Sequence, residues 1–212
     1  MTTGSPGGVP LRTESHFRGD FMFDYLELST GRERDAVSAV ARRLKASPVA
    51  PVAVFAPLLG YPSNTVLALF PALEADDALP ATRVEGAVSA LRTRLAPTAR
   101  PAADATPAAG GVYVHNWFNI DAGAVEEFVD LSVEAWPDFE SRFDARIFGL
   151  FLAEESDIDR SQGARRLLLM TRYGDLGVWQ ASRDPTTEAM KIFARRRELT
   201  RASLARSCLL IP

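Results

Sequence analysis

The sequence is poor in the residues that usually hold metals or form disulfides. It contains one cysteine and two histidines among 212 residues. A single cysteine cannot form an internal disulfide, so we expect a reducing compartment and a cytoplasmic location. Cys208 lies in an apolar stretch and is expected to be a buried thiol. These three side chains are widely spread along the chain, so no metal site is predicted.

Motifs for nucleotides, membranes and nucleic acids are also missing. No G-x-G-x-x-G motif follows a predicted strand, and the sequence has no phosphate-binding loop and no G-x-S-x-G elbow, so we expect no cofactor. No stretch approaches the roughly 20 apolar residues that span a bilayer, so no membrane partner is expected. Lys plus Arg number 24 against 27 for Asp plus Glu, which argues against a nucleic-acid partner. The one basic cluster, residues 195–197, is interpreted as a solvated helix face.

Two segments with few large apolar residues divide the chain. Residues 1–18 are rich in Gly, Pro, Ser and Thr and are predicted to form a flexible leader, without the features of a signal peptide. Residues 96–111 consist mainly of Ala, Pro, Thr and Gly and are interpreted as a linker. The expected folded parts are therefore residues 19–95 and residues 112–212.

Both parts show the order strand, helix, strand, strand, helix. In the first part these elements are predicted at residues 21–28, 32–46, 52–55 and 65–70, followed by a helix carrying Val84, Val88, Leu91 and Leu95. In the second part they are predicted at 112–120, after Asp121, at 147–152, at 167–171, and from Asp184 to about 206, with a closing strand at 208–211. Pro137 is expected to end or kink the helix that follows Asp121.

This order predicts an α+β fold of two tandem ferredoxin-like halves. Each half forms an antiparallel sheet with helices on one face, which leaves the other face bare. The two bare faces are expected to pack together as an α/β barrel that encloses a lumen within one chain. Pairing of exposed sheet edges between two chains is left open, so a homodimer remains an alternative.

The second part resembles the dimeric α/β-barrel superfamily, and within it NIPSNAP-like and antibiotic-biosynthesis-monooxygenase-like proteins. The likeness rests on the opening strand at 113–119, the segment RYGDLGVWQASR at 172–183 and the ending at 207–212. The first part matches only in its order of elements. The superfamily includes cofactor-free monooxygenases of aromatic polyketides, haem-degrading oxygenases, isomerases, polyketide cyclases and ligand-binding domains, so the resemblance does not decide the function.

The opening strand of the second part carries the main candidate site. Alternation places mostly apolar side chains on the face expected to cover the helices, namely Val112, Val114, Asn116, Phe118 and Ile120. The other face combines aromatic bodies with polar tips, as a ligand cavity does, in Tyr113, His115, Trp117 and Asn119. His115 is the candidate general base, because imidazole titrates near neutrality. A structural histidine is the alternative.

Four further residues are candidates for substrate binding. Tyr25 and Glu27 share one face of the first strand and would face the lumen, where burial would raise the pKa of the glutamate. A solvated glutamate at the sheet edge is the alternative. Arg172 and Tyr173 lie at a strand end, from which side chains can reach the mouth of a cavity. Packing in a small apolar cap is the alternative for Tyr173.

Three functions are compatible with these residues. The first is a small-molecule enzyme, a cofactor-independent oxygenase or cyclase acting on an aromatic or polyketide-like substrate in the lumen. There His115 would remove a proton from a phenol or enol, while Tyr113, Trp117 and Asn119 position the ring and stabilise the anion. The second is a non-catalytic ligand-binding or assembly protein. The third, by analogy with the superfamily, is haem binding or degradation through His115. An open lumen would favour the first function, and a packed lumen the second.

Overall fold

The computed structural model describes residues 20, 22–72 and 84–212. The described strands are β1 Phe23–Thr30, β2 Ala53–Leu59, β3 Thr65–Pro71, β4 Ala87–Pro97, β5 Val112–Asp121, β6 Ala145–Ala153, β7 Ala164–Tyr173 and β8 Thr200–Leu210. The described helices are α1 Ala36–Lys45, α2 Val125–Arg142, α3 Asp157–Gln162, α4 Leu176–Ala181 and α5 Glu188–Glu198. The predicted leader lies outside the described residues.

The strands close into one antiparallel barrel in the order β1-β3-β2-β8-β5-β7-β6-β4. The same arrangement occurs twice, because β1 lies between β4 and β3 in the first half as β5 lies between β8 and β7 in the second. Two seams join the halves, one between β4 and β6 and the other between β2 and β8. The predicted α+β fold of two ferredoxin-like sheets packed as a barrel is therefore confirmed. The division into separate domains around a linker stays a prediction.

The helix predicted around residues 84–95 is wrong. Residues 87–97 form β4, which pairs with β1 from Phe23 opposite Leu95 to Thr30 opposite Ala87. The spacing of the apolar residues in this segment fits a helix, but it also fits a strand, since Leu91 and Leu95 would lie on the same strand face. Pairing with β1 outweighs this weak local signal, and it supplies the last strand of the first half, which the sequence pattern did not reveal.

The helices of the second half also differ from the prediction. Pro137 lies inside α2, which continues to Arg142 because residues on both sides of the proline, including Trp136 and Phe139, are buried against the sheet. The last helix begins after Thr187, whose Oγ1 accepts a hydrogen bond from the Met190 amide, rather than at Asp184. It ends at Glu198, since the following residues pair with β5 as the long strand β8.

The core has three layers. One cluster fills the space between the sheet of the first half and α1, and another fills the space between the sheet of the second half and α2 and α5. The third occupies the barrel lumen and consists of the buried side chains Phe23, Tyr25, Ala53, Phe55, Leu67, Leu69, Leu95, Tyr113, Phe151, Ala153, Leu168, Met170 and Cys208. The barrel is therefore closed around a packed interior.

Candidate functional site

His115 lies buried inside the barrel lumen, as alternation along β5 predicts. The Tyr25 hydroxyl is 3.0 Å from its Nδ1, and the Tyr61 hydroxyl is 3.2 Å from that of Tyr25. Burial raises the pKa of both phenols, so both keep their protons. The Tyr61 hydroxyl also lies 3.3 Å from Nδ1, so the two phenols and the imidazole form one hydrogen-bonded cluster. The other ring nitrogen, Nε2, lies 3.5 Å from the Cys208 Sγ.

The surroundings of His115 favour a structural role. Burial lowers the pKa of its imidazole to about 3, so the ring is neutral at physiological pH and is a weak base. Phe55 packs edge-on against the ring, with centroids 4.8 Å apart. Buried side chains of the lumen surround the imidazole among the described residues. The catalytic role of His115 stays a prediction.

One mouth of the barrel brings together several of the predicted residues. Glu27, Trp117, Asn119 and Arg206 line a cavity of about 310 Å³ there. Burial raises the pKa of Glu27 although the Arg206 Nη1 lies 3.4 Å from its carboxylate, because desolvation outweighs this partly exposed ion pair. The Asn119 Oδ1 is buried without a hydrogen-bond partner among the described residues. Tyr25 reaches this group through an edge contact with Trp117.

Tyr113 and Arg172 lie elsewhere, beside the opposite mouth of the barrel. They line a cavity of about 270 Å³ together with Pro101 and Phe148. The Tyr113 hydroxyl donates to the Ala108 carbonyl, 2.6 Å away, and the Arg172 guanidinium forms an ion pair with Asp144. The Tyr113 hydroxyl thus holds the segment before β5, and the Arg172 guanidinium holds the end of β7 against Asp144.

A third cavity lies outside the lumen, between the sheet of the second half and helices α2 and α5. Its volume is about 310 Å³. We call it the sheet–helix cavity and define it by its lining residues Asn116, Phe118, Tyr173, Phe193, Arg196 and Arg197. Its lining combines aromatic side chains with many polar ones, including three arginines, which suits a ligand that carries both a ring and polar groups. His115 lies on the opposite face of β5 and lines none of the three cavities.

Arg196 is the most unusual group of the sheet–helix cavity. Only 8% of this arginine is exposed, and no carboxylate among the described residues lies within ion-pair distance. Its Nη1 donates to the Ser132 Oγ on α2, 3.1 Å away, and its guanidinium stacks on Phe193 at 4.4 Å. Burial lowers the pKa of Arg196 to about 10, so the guanidinium still carries its charge at neutral pH.

Polar groups around the guanidinium complete the cavity. The Asn116 Oδ1 is buried and has no hydrogen-bond partner among the described residues. Burial raises the pKa of the Tyr173 phenol, an effect opposed by Arg183 and by a hydrogen bond with Ser182. Tyr173, predicted to bind substrate, is thus the one predicted site residue that lines this cavity. The arrangement can hold an anionic oxygen at Arg196, and the unpaired Asn116 Oδ1 can accept a hydrogen bond from a ligand hydroxyl.

Sequence reasoning missed Asn116 and Arg196. Asn116 is the only polar residue on the helix-facing side of β5, and this interruption of an apolar face is the signal that could have revealed it. Arg196 is the middle residue of the cluster interpreted as solvated. Arg195 and Arg197 are exposed as expected, but helical geometry turns Arg196 towards α2.

Comparison with solved structures identifies the fold. An anthrone oxidase-like protein matches with a TM-score of 0.58 and 14% identity over 94% of each chain. A monooxygenase-like protein from Listeria innocua matches with a TM-score of 0.51 and 10% identity, over 92% of this chain and 96% of that one. No protein-family model and no curated protein matches the sequence. These matches show that the chain shares the fold of these proteins, and the narrower likeness to NIPSNAP-like proteins stays a prediction.

The described residues also bear on metal ions and membranes. No group of three or more His, Cys, Asp and Glu side chains is placed to hold a metal ion there. None of the helices in the described part is long and apolar enough to cross a membrane.

Proposed function

We propose that the chain is an enzyme that acts on an aromatic or polyketide-like phenol or enol in the sheet–helix cavity, as a cofactor-independent oxygenase or cyclase. The observation that carries this proposal is the buried, charged guanidinium of Arg196, which has no carboxylate partner among the described residues. Solved structures of oxygenase-like proteins with the same fold support it at the level of fold.

Arg196 would act by stabilising the anion of the substrate. An opposite charge within about 4–6 Å lowers the pKa of an acidic group by roughly 1–3 units. A phenol or enol bound against Arg196 would therefore lose its proton more readily, because the guanidinium stabilises the resulting oxyanion. The electron-rich carbon of that anion can be oxidised by dioxygen, with the substrate supplying the electrons, or can attack a carbonyl of the same molecule.

The proposal places the reaction outside the lumen. A packed lumen counts against an enzyme that works in the lumen through His115 and favours a binding or assembly protein. The sheet–helix cavity instead offers space, aromatic walls and a cationic group without a carboxylate partner among the described residues. No imidazole or carboxylate is found among the described residues that line it. This absence of an evident general base favours, as a second candidate, a protein that binds such anions without transforming them.

Haem binding through His115 does not fit the geometry. Coordination of iron needs a free ring nitrogen, but the Tyr25 hydroxyl lies 3.0 Å from Nδ1 and the Cys208 Sγ lies 3.5 Å from Nε2. The ring is also enclosed by Phe55 and fully buried. We therefore derive no step through haem.

Substitution of Arg196 tests the proposed function. With anthrone as the probe substrate, oxygen uptake measured with an electrode is expected to show kcat/KM reduced about 100-fold in Arg196→Met, the cost of one oxyanion-stabilising group. Methionine keeps most of the apolar stem that packs between α2 and the sheet. Arg195→Met is the matched control, because this exposed neighbour on the same helix does not line the cavity.

Ionisation of a bound phenol separates the two candidate functions. The visible absorption of 4-nitrophenol reports its ionisation, and binding to the wild-type protein is expected to lower its pKa, whereas binding to Arg196→Met is not. A lowered pKa without any oxygen uptake or cyclisation would support the binding protein. An unchanged pKa in the wild type, or equal activity of Arg196→Met and Arg195→Met, would refute the role of Arg196.

A further inference from the structure

The sheet–helix cavity contains two more cationic side chains besides Arg196. Arg183 follows α4, and Arg197 is the next residue of α5; both line the cavity and both are exposed, so they lie at its rim. The three arginines are close enough for Arg183 and Arg197 to lower the pKa of Arg196. The cavity therefore has one buried cation at its inner end and two exposed cations at its rim.

No carboxylate of the described residues forms an ion pair with this cluster. No aspartate or glutamate lines the cavity, and neither Arg183 nor Arg197 forms an ion pair within the described part of the chain. The guanidinium of Arg183 stacks on the Trp179 ring at 4.6 Å, which fixes its plane while its N–H groups stay available. Like charges held together without counter-charges raise the energy of the free protein, and a bound anion would remove that cost.

We infer that the ligand of this cavity is an aromatic carboxylic acid, whose carboxylate is held by Arg183 and Arg197 at the rim. The inference rests on the proposed function, in which Arg196 holds the phenol or enol oxygen at the inner end. A planar guanidinium can donate two parallel hydrogen bonds to the two oxygens of a carboxylate. Two guanidinium groups at the entrance therefore favour a ligand whose carboxylate lies at the opposite end from its reacting oxygen. The aromatic walls formed by Phe118 and Phe193 accept the ring between the two polar ends.

This division of roles predicts the selectivity of the protein among small acids. An aromatic phenol that also bears a carboxylate on the far side of the ring should bind at least about tenfold more tightly than the same phenol without it, because a hydrogen bond to a charged group contributes that much affinity. The advantage should decrease at high salt, since the rim is exposed to solvent.

Two matched probes test the inference with the full-length protein. 6-Hydroxy-2-naphthoic acid and 2-naphthol share the ring and the phenol and differ in the carboxylate, and their intrinsic fluorescence reports binding. Arg183→Gln and Arg197→Gln are each expected to weaken binding of the acid about tenfold more than binding of 2-naphthol. Arg195→Gln, on the exposed side of α5, is expected to change neither.

The outcomes separate this inference from the proposed function. Equal affinity of the wild type for both probes, or an acid preference that survives the double substitution of Arg183 and Arg197, would overturn the carboxylate site, while an effect of Arg196→Met on phenol ionisation would leave the proposed function standing. Tighter binding of 2-naphthyl phosphate than of the acid would overturn the carboxylate assignment alone. Failure of the wild type to bind any of the probes would overturn both proposals.

Discussion

The variant Phe151→Ala is expected to lose about 4 kcal/mol of unfolding free energy. Phe151 is fully buried in the lumen, where its ring meets Phe23 edge-on with centroids 5.5 Å apart. Removing the ring leaves a cavity in the centre of the barrel. The surrounding wall cannot collapse into it, because the strands are hydrogen-bonded to neighbours on both sides. Urea denaturation followed by tryptophan fluorescence would measure the loss.

Phe148→Ala is the matched control for this prediction. Phe148 lies on the same strand and contacts Phe151, with centroids 6.2 Å apart, but it is only partly buried, towards the mouth of the barrel. Its truncation is expected to cost less than half as much, because solvent can enter the space left behind. A loss below about 1 kcal/mol for Phe151→Ala would mean that the lumen is not packed as described.

Acidification is expected to destabilise the protein through His115. The pKa of this ring is about 3 in the folded protein, whereas a histidine in the unfolded chain titrates near 6.5. Below about pH 6.5 the unfolded state therefore binds a proton that the folded state does not bind. The contribution of His115 to the free energy of unfolding is fully present above this pH and is lost as the pH decreases towards 3. Between pH 7.5 and pH 4.5 this one group should remove about 2–3 kcal/mol.

The variant His115→Gln isolates this contribution. Its amide can still form a hydrogen bond with the Tyr25 hydroxyl, but it does not titrate. The unfolding free energy of the variant is therefore expected to change less between pH 7.5 and pH 4.5 than that of the wild type, by the same 2–3 kcal/mol. Carboxylates titrate alike in both proteins and cancel in the comparison. Parallel pH dependences would show that His115 is charged or solvated in the fold.

The barrel could be predicted from sequence where alternation was strong. The two faces of β5 lie as expected, with Phe118 and Ile120 against the helices and His115 in the lumen. The prediction failed for β4, because its apolar residues fit a helix as well as a strand and only the distant partner β1 decides between them. Pairing between residues far apart in sequence is not encoded in local spacing.

The candidate site was harder to predict than the fold, for a related reason. Glu27, Trp117 and Asn119 line one cavity at the first mouth, and their role in substrate binding stays a prediction. The sheet–helix cavity, however, depends on how α5 is rotated against α2, which determines that Arg196 and not Arg195 points inwards. A run of identical side chains carries no information on that rotation.

The packed lumen has a consequence for how the two halves depend on each other. Its aromatic side chains come from both halves: Phe23 and Tyr25 lie on β1 in the first half, and Phe151 lies on β6 in the second half. Either half expressed alone would expose this apolar face to water and should be an aggregation-prone fragment. The two halves are thus obligate partners in a single cooperative transition, and a backbone cut between β4 and β5 should leave two pieces that remain assembled by complementation.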